Sequence, residues 1–353
     1  MEKIVLALSG GVDSAVAVHL LQQQGYDVYG YTFVNGRDEA KRKSIIEDAA
    51  AVAAHFGIPH EIEDLTEDFE KTVISYFSDS YFQAKTPNPC VFCNRAMKFP
   101  KLLAYADRLG IEKVATGHYV QMKEGRICRA EDRKKDQSYV LCLLPEEFYP
   151  RFVFPLGAYH KPQIRRIAEE LNLPVAHKED SQEICFIPDD DYKAFLTDRF
   201  PEGFRDGDFL DTEGNPLGRH KGLPFYTIGQ RRGIGIAFGS PKYVVRLDAE
   251  NNAVVIGDKE DLMTRTFRVK NANLVDRPEE AFSCTVKIRY LSDPVPAEVR
   301  PLGEGRCEVI LEEPQKSVTP GQYAVFYRGD ILLGGGEIED PSLSCSSGSE
   351  RNR

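Results

Sequence analysis

Three cysteines and one serine–glycine loop are the residues of this chain whose types and spacing could do chemistry. Cys90 and Cys93 stand in Thr86-Pro87-Asn88-Pro89-Cys90-Val91-Phe92-Cys93-Asn94-Arg95. Two prolines fix an extended loop, so Cys93 is expected at the start of the next helix. A thiol there is favoured as thiolate by the helix dipole, with Arg95 adding positive charge, which suits a nucleophile. The C-x-x-C spacing is also half of a zinc site, or a local redox disulfide, but no second C-x-x-C or His pair stands at metal-ligand spacing. Cys185 lies in Lys178-Glu179-Asp180-Ser181-Gln182-Glu183-Ile184-Cys185-Phe186-Ile187. From that apolar stretch alone it reads as a buried core cysteine.

The loop is Leu8-Ser9-Gly10-Gly11-Val12-Asp13-Ser14, after the apolar run Ile4-Val5-Leu6-Ala7 and before a helix-patterned segment. Adjacent glycines let the backbone pass close to an anion, Ser9 and Ser14 add hydroxyl donors, and the helix contributes its N-terminal amides. Asp13 is expected either to cap that helix or to help hold a magnesium ion. Neither the Gly-Lys-Ser/Thr end of a Walker loop nor G-x-G-x-x-G is present. The string instead resembles the PP-loop, SGGxDS. That motif belongs to ATP pyrophosphatases, which activate an oxygen substituent by adenylation and release pyrophosphate.

The elements that must position these groups alternate. Strands are expected around Val28–Phe33, Glu61–Leu65 and Lys113–Thr116. Helices are expected through Ile45–Phe56, from about Asp68 to Gln83, from about Asn94 to Leu109, and from Lys161 to Leu171. Such alternation predicts an α/β fold with a doubly wound parallel sheet, whose ligands sit beyond the carboxyl ends of the strands. Gly117, after the Lys113–Thr116 strand, could line a nucleotide pocket or simply make a turn. Beyond residue 190 the composition shifts to glycine, proline and short strands. The expected organisation is a catalytic domain over 1–190, a small mixed domain over 191–262, a C-terminal β-barrel over 263–340, and a Ser-rich disordered tail over 341–353. Lys287, Arg289 and Tyr290, at the end of a strand pattern from Cys284, fit an RNA-facing surface.

The chain of 353 residues carries a formal net charge of −10, yet phosphate binding depends on a local basic face rather than on the total. Arg126, Arg129, Arg133, Lys134 and Lys135, with Lys161, Arg165 and Arg166, are the expected face, and Arg231-Arg232 is a second basic pair. No apolar stretch approaches membrane length and the first residues have no signal-peptide pattern, so a soluble, cytoplasmic protein is expected. Eight cysteines in such a chain read as free thiols, catalytic groups or metal ligands rather than a disulfide framework.

Taken in order, SGGVDS, TPNPCVFCNR, ATGHY, KDQSY, DSQEICFI, YTIGQRRGIGI and TPGQYAVFY resemble the bacterial tRNA-specific 2-thiouridylase family over about residues 3 to 337. The resemblance implies ATP-dependent adenylation of the wobble uridine of certain tRNAs at its C2 oxygen, then replacement of that oxygen by sulfur. The products would be 2-thiouridine, AMP and pyrophosphate. It further implies Cys93 as the nucleophile and Cys185 as the carrier of a persulfide received from an upstream sulfur carrier or cysteine desulfurase. Ala7, Leu8, Ser9, Gly10, Gly11, Val12, Asp13, Ser14, Phe33 and Gly117 would surround ATP. Asn88, Pro89 and Cys90 would meet the target base, and His118, Lys135, Asp136, Gln137, Arg289, Tyr290 and Gln322 would touch tRNA.

Two departures stand out. Many relatives carry aspartate where Cys90 stands, assigned an acid/base role, and the segment after Phe33 lacks the cysteine and acidic residues expected there. Three thiols with an open fourth position could hold an iron–sulfur cluster, but a relay needs only Cys93 and Cys185, so the metal-free route is preferred and no metal ligand is assigned. The alternatives are another PP-loop ligase, which needs neither persulfide cysteine nor RNA surface, and a non-catalytic RNA-binding sulfur carrier.

Overall fold

The computed structural model describes residues 1–180 and 184–340. The expected tail, and Ser181 to Glu183 of the Cys185 string, lie outside the described residues. The chain divides into two compact units. The first holds Met1–Ile74, Cys90–Phe186 and Gly329–Leu332; the second holds Ser75–Pro89, Ile187–Arg328 and the chain from Leu333.

In the first unit, β1 (Glu2–Ala7), β2 (Tyr26–Val34), β3 (His60–Asp64), β4 (Lys113–Ala115) and β7 (Phe152–Val153) form one sheet in the order β3-β2-β1-β4-β7. All four of its pairings are parallel. The hairpin of β5 (Val120–Lys123) and β6 (Arg126–Arg129) follows β4. Parallel strands are covered on both faces, which is why β1 reads as the unbroken run Ile4-Val5-Leu6, each fully buried. Helix α1 (Val12–Gln23) buries Val12, Ala15, Val16, Ala17, Val18, Leu20 and Leu21, so it lies inside the core rather than on its surface. Helix α2 (Glu39–Phe56) starts where the Asp38 side chain accepts from the Lys41 amide at 3.0 Å and stops at left-handed Gly57.

The single long helix expected over about 68–83 is instead built of consecutive pieces. These are α3 (Thr66–Phe69), a π-helical stretch Glu70–Ile74, and α4 (Ser75–Phe82). Likewise, the helix expected from Asn94 begins earlier. Helix α5 (Pro89–Cys93) runs into a π-helical stretch Asn94–Lys98 and then α6 (Phe99–Arg108). Helix α7 (Lys161–Glu170) opens with a capping box between His160 and Gln163.

The second unit carries α8 (Tyr192–Arg199) and a mixed sheet, ordered β10 (Tyr243–Asp248), β11 (Ala253–Gly257), β8 (Gly207–Leu210), β9 (Pro216–His220), in which only β11–β8 is parallel. It also carries a closed antiparallel barrel of β12 (Met263–Leu274), β13 (Phe282–Lys287), β14 (Val295–Gly303), β15 (Arg306–Lys316), β16 (Tyr323–Arg328) and β17 (Ile331–Ile338). Pairing of β12 with both β15 and β17 closes the ring around Phe267, Val269, Val286, Val299, Val309, Leu311 and Phe326. At the closing seam the β12 register shifts between Lys270 and Asn273, and Gly334 takes a φ of +117°. A Cβ on Gly334 would lie 1.9 Å from the Asn273 carbonyl oxygen, so only glycine lets the strands close there.

Gly334→Ala should therefore destabilise the protein by about 2–4 kcal/mol, read as a fall in the urea midpoint, through backbone strain and a clash with unyielding backbone. Gly125→Ala, at a φ of +74° in open space, should cost only about 1 kcal/mol. Equal shifts for the two would remove the seam from the account of barrel closure.

Candidate active site

The loop after β1 is built by its own hydroxyls. The Leu8 amide donates to the Tyr31 carbonyl at 2.8 Å and the Leu8 carbonyl accepts from the Thr32 hydroxyl, so the chain leaves the sheet at a fixed point. Ser14 Oγ accepts from the Ser9 amide at 3.2 Å, lies 3.1 Å from Ser9 Oγ, and donates to the Gly11 carbonyl at 3.0 Å. Gly10 has a φ of +69°, and a Cβ there would press to 3.0 Å on Asp48 Cβ and the Ile45 carbonyl oxygen. Gly117 packs against the same turn, since its Cβ would sit 3.3 Å from the Ser14 amide nitrogen. Leu8 and Val12 point into the core, while Ala7 and Phe33 are half-buried. Ser9 and the backbone at Gly11 reach the surface.

Asp13 does not cap α1. The N-cap is Gly11, without a side-chain bond, and Asp13 Oδ1 instead accepts from Tyr119 Oη and from Lys161 Nζ, each at 2.7 Å. Burial, then the Asp13 carboxylate, pushes the Tyr119 hydroxyl far above its ordinary pKa, so it stays a donor. Lys161 Nζ also lies 2.7 Å from Asp180 Oδ1. Asp180 takes two further cations, Arg165 at 2.6 Å and Lys135 at 2.9 Å. Burial raises the Asp180 carboxyl, but hydrogen bonds from Lys161 and Lys135 outweigh it and hold the group at about 2. Lys178 donates to Asp48 Oδ2 at 2.6 Å and to the Gly10 carbonyl at 3.2 Å.

This cluster corrects the expected basic face. Lys161 is buried and Arg165 is tied to Asp180 and to the carbonyls of Ala176 and Lys178. Arg126 pairs with Glu146, Arg129 with buried Asp136, and Arg133 with Asp330. Carboxylates close by in space but scattered in sequence cancel these charges. Lys134 and Arg166 remain exposed, as do Arg231 and Arg232 of the second unit.

Cys93 does not begin a helix. It ends α5 in a continuous helical path, so no free amide row faces its sulfur, and burial raises its thiol rather than the dipole lowering it. The opposing positive charge is Lys98, one turn on, while Arg95 is exposed. Cys90 is likewise raised by burial and lowered by Lys98. Cys185 is not a core cysteine. It reaches solvent, and burial first, then the Cys93 and Cys90 thiols, push it up to about 11. Lys41 Nζ donates to the Cys185 carbonyl at 2.6 Å, and the Phe186 ring meets Phe69 edge-on at 5.5 Å. The fold thus brings Cys90, Cys93 and Cys185 into one electrostatic neighbourhood facing Lys98. Every described cysteine is a free thiol. Among the described residues no set of three or more His, Cys, Asp or Glu side chains is arranged to hold a metal ion.

The other expected contact residues divide by burial. His118 is buried, with Nδ1 2.7 Å from Thr116 Oγ1 and its ring edge-on to Phe99. Burial first, then Lys98, lowers it to about 3, and the imidazole is neutral. Asp136 is buried, accepting from Arg129, the Ala130 and Ser138 amides, and Ser138 Oγ. Gln137 Oε1 accepts from the Tyr119 amide at 2.9 Å. The side chains of His118 and Asp136 are thus buried, and that of Gln137 is engaged by the backbone of Tyr119. In the second unit, Asn88 is half-buried, Pro89 is buried, and Gln322 donates to the Thr86 carbonyl at 2.9 Å. Strand β13 ends at Lys287, which is buried, so Arg289 and Tyr290 lie beyond it. Arg289 donates to the Ser317 carbonyl and to Thr319 Oγ1. Lys98, Lys178 and Asp180 were not singled out by sequence reasoning; only the placement of the latter two inside the Cys185 string could have drawn attention to them.

Family models match the chain in three consecutive stretches: a tRNA methyl transferase HUP domain over residues 2–189, a tRNA methyl transferase PRC-barrel domain over 193–258, and an aminomethyltransferase beta-barrel domain over 264–338. A tRNA-specific 2-thiouridylase MnmA of Heliobacterium modesticaldum is 45% identical over 96% of this chain and 92% of its own length. One of Carboxydothermus hydrogenoformans is 44% identical over 96% and 98%.

With Cys185 at about 11, its thiolate fraction, and hence its alkylation rate, should rise about tenfold per pH unit between pH 7 and 9. Lys98→Met removes the facing ammonium and should slow alkylation of Cys93 and Cys185 roughly threefold at pH 8, followed by peptide mass spectrometry. A pH-independent rate at Cys185 would contradict the raised thiol.

Proposed function

The chain belongs to the family of tRNA-specific 2-thiouridylases, and we propose that it adenylates the C2 oxygen of a tRNA wobble uridine and replaces it with persulfide sulfur at the Cys93–Cys185 pair. The observation that carries this reading is that Cys185 lies near enough to Cys93 for the two thiols to act on each other electrostatically, in the unit that also holds the SGGVDS loop. The family models are described as methyl transferase domains, but a methyl transfer has no use for two facing thiols and a phosphate-receiving loop.

A uridine C2 carbonyl is a poor electrophile with a poor leaving oxygen. Attack of that oxygen on the α-phosphorus of ATP expels pyrophosphate and makes AMP the leaving group. The loop backbone at Ser9, Gly10 and Gly11 and the α1 amides would receive the phosphates, with Gly117 lining the pocket. Magnesium fits here through Asp13, whose Oδ2 has no partner among the described residues; one carboxylate with substrate phosphates and water is how that ion is usually held. When bound, it would neutralise phosphate charge.

The terminal sulfur of a Cys185 persulfide then attacks C2, and AMP leaves. The Cys93 thiolate attacks the Cys185 sulfur, the S–S bond breaks, and the outer sulfur stays on the base as 2-thiouridine. A Cys93–Cys185 disulfide results, and two electrons from an external thiol reductant restore the pair. Lys98 favours each anionic sulfur along this path. Cys90, exposed beside the pair, would shape the base pocket; its raised thiol makes it a proton donor rather than the general base that an aspartate supplies. Arg289, Tyr290 and Gln322 of the second unit would meet tRNA, and a sulfur carrier or desulfurase would load Cys185. No described helix is long and apolar enough to cross a membrane, and a tRNA substrate would favour a cytoplasmic location.

Incubation with tRNA, ATP, magnesium and a persulfide donor should replace one uridine oxygen by sulfur, seen by nucleoside mass analysis. Asp13→Ala should abolish tRNA-dependent pyrophosphate release while leaving tRNA binding within about twofold. Cys93→Ser and Cys185→Ser should each stop thiolation without unfolding, and a labelled persulfide should be trapped on Cys185 in Cys93→Ser. Label on Cys128 or Cys142 instead would reassign the relay.

A further inference from the structure

In the second unit, the turn over residues 227–242 carries two arginines that folding leaves unmatched. Its backbone is tied down: the Gly229 amide donates to the Val244 carbonyl at 2.8 Å, the Val244 amide donates to the Gln230 carbonyl at 2.9 Å, and Ile234 is buried in one cluster with Phe209 and Val254. The Gln230 side chain braces the turn from within. Its Oε1 accepts from the Thr227 amide at 3.1 Å and its Nε2 donates to the Arg232 carbonyl at 2.9 Å. On that fixed backbone Arg231 and Arg232 are exposed, and among the described residues no carboxylate pairs with either. Neighbouring cations are matched: Arg219 with Asp208, Lys221 with Asp206, and Lys242 with both oxygens of Asp258. In a chain of net charge −10, two adjacent unmatched arginines on a braced turn make a local positive site for an anionic partner.

Arg231 borders a cleft of about 360 Å³ whose apolar wall includes Ile236, Ala237 and Phe238. Lys242 also lines it, but Asp258 already holds that ammonium, so Arg231 supplies the open charge. The turn is seated on the barrel through Gly229, at a φ of +89°, where a Cβ would lie 2.5 Å from Ser317 Oγ and 4.0 Å from Arg289 Nη2. The arginine pair therefore continues the surface that begins at Arg289 and Tyr290. Resting on the tRNA reading above, we propose that this turn is a further RNA-binding site: Arg231 and Arg232 take successive backbone phosphates of an unpaired tRNA segment, and the cleft takes one unstacked base against Phe238. Guanidinium forks match phosphate oxygens, and every base offers a face to an aromatic ring, so the site reads strand geometry rather than sequence. A duplex offers phosphates but no free base, and the cleft thereby favours a loop over a stem.

The test uses full-length protein and labelled total tRNA, since the site is indifferent to sequence, with filter binding across about 50–200 mM salt. Arg231→Gln/Arg232→Gln should weaken binding about tenfold at about 100 mM salt and make the slope of log Kd against log salt shallower by about 1.4, as two single-strand phosphate contacts require. Arg219→Gln/Lys221→Gln removes the same total charge from cations already matched by carboxylates, and should leave affinity within about twofold. Phe238→Leu keeps the wall apolar but removes its aromatic face, and should cost about fivefold with the slope unchanged. Because Phe238 also packs against the core, Ala237→Leu, which fills the cleft from its exposed side, should give a loss of about threefold or more, again with the slope unchanged. A double arginine variant with wild-type affinity and slope, or cleft variants that both bind as the wild type does, overturns the inference alone; a wild-type protein that binds no tRNA overturns the function on which it rests as well.

Discussion

A buried ammonium cannot stand alone, and Lys161 is the place where that constraint organises the first unit. Taking a lysine charge out of water costs several kcal/mol unless carboxylates close by compensate. Lys161 has two, Asp13 and Asp180, and they come from opposite ends of the unit's sequence. One ion-pair cluster thereby fixes the loop after β1, the start of α7 and the stretch from Lys178 to Asp180. Because Lys135 and Arg165 add further charge, Asp180 stays ionised despite its burial, and the cluster holds across ordinary pH. Nothing in the hydrophobic core around Ile4, Leu6, Val16 and Ala115 could specify this register so sharply, since apolar burial has no direction.

The thiol pocket follows the opposite electrostatic logic. Burial raises Cys90, Cys93 and Cys185 together, and Lys98 offsets that only in part. Raised thiols are slow nucleophiles and slow to oxidise at rest. A persulfide is more acidic than a thiol, so loading of Cys185 itself would bring an anionic sulfur opposite Lys98. On the proposed persulfide route, reactivity would depend on the cargo rather than on the resting protein. The neutral, buried His118 adds no competing cation to that pocket.

Much of the fold was legible in the chain. The apolar runs at Ile4–Leu6 and Val28–Phe33 and the alternation of strand and helix gave the parallel sheet, because local periodicity reports burial directly. Strand patterns after Met263 gave the barrel in the same way. The helical path through Cys93 was misread for a local reason: Pro89 was taken as part of an extended loop, whereas it occupies the first position of α5, where proline is equally at home. That one-turn difference moved Cys93 from a helix start to a helix interior and reversed the direction of its expected pKa shift.

The sequence by itself determined the SGGVDS loop, the family to which the chain belongs and the identity of the thiols, since each is carried by residues contiguous along the chain. Only the tertiary structure decided which charges are spent internally. Arg126, Arg129, Arg133, Lys161 and Arg165 read as a basic face in one dimension, and each proves to be matched by a carboxylate that folding brings beside it. The same holds for the thiols: Cys185 meets Cys93 across 92 positions, and its ionisation is set by burial and by partners remote in sequence. Accessibility and pKa are properties of a residue's spatial neighbours, and neighbours so far apart in sequence leave no mark on any local pattern.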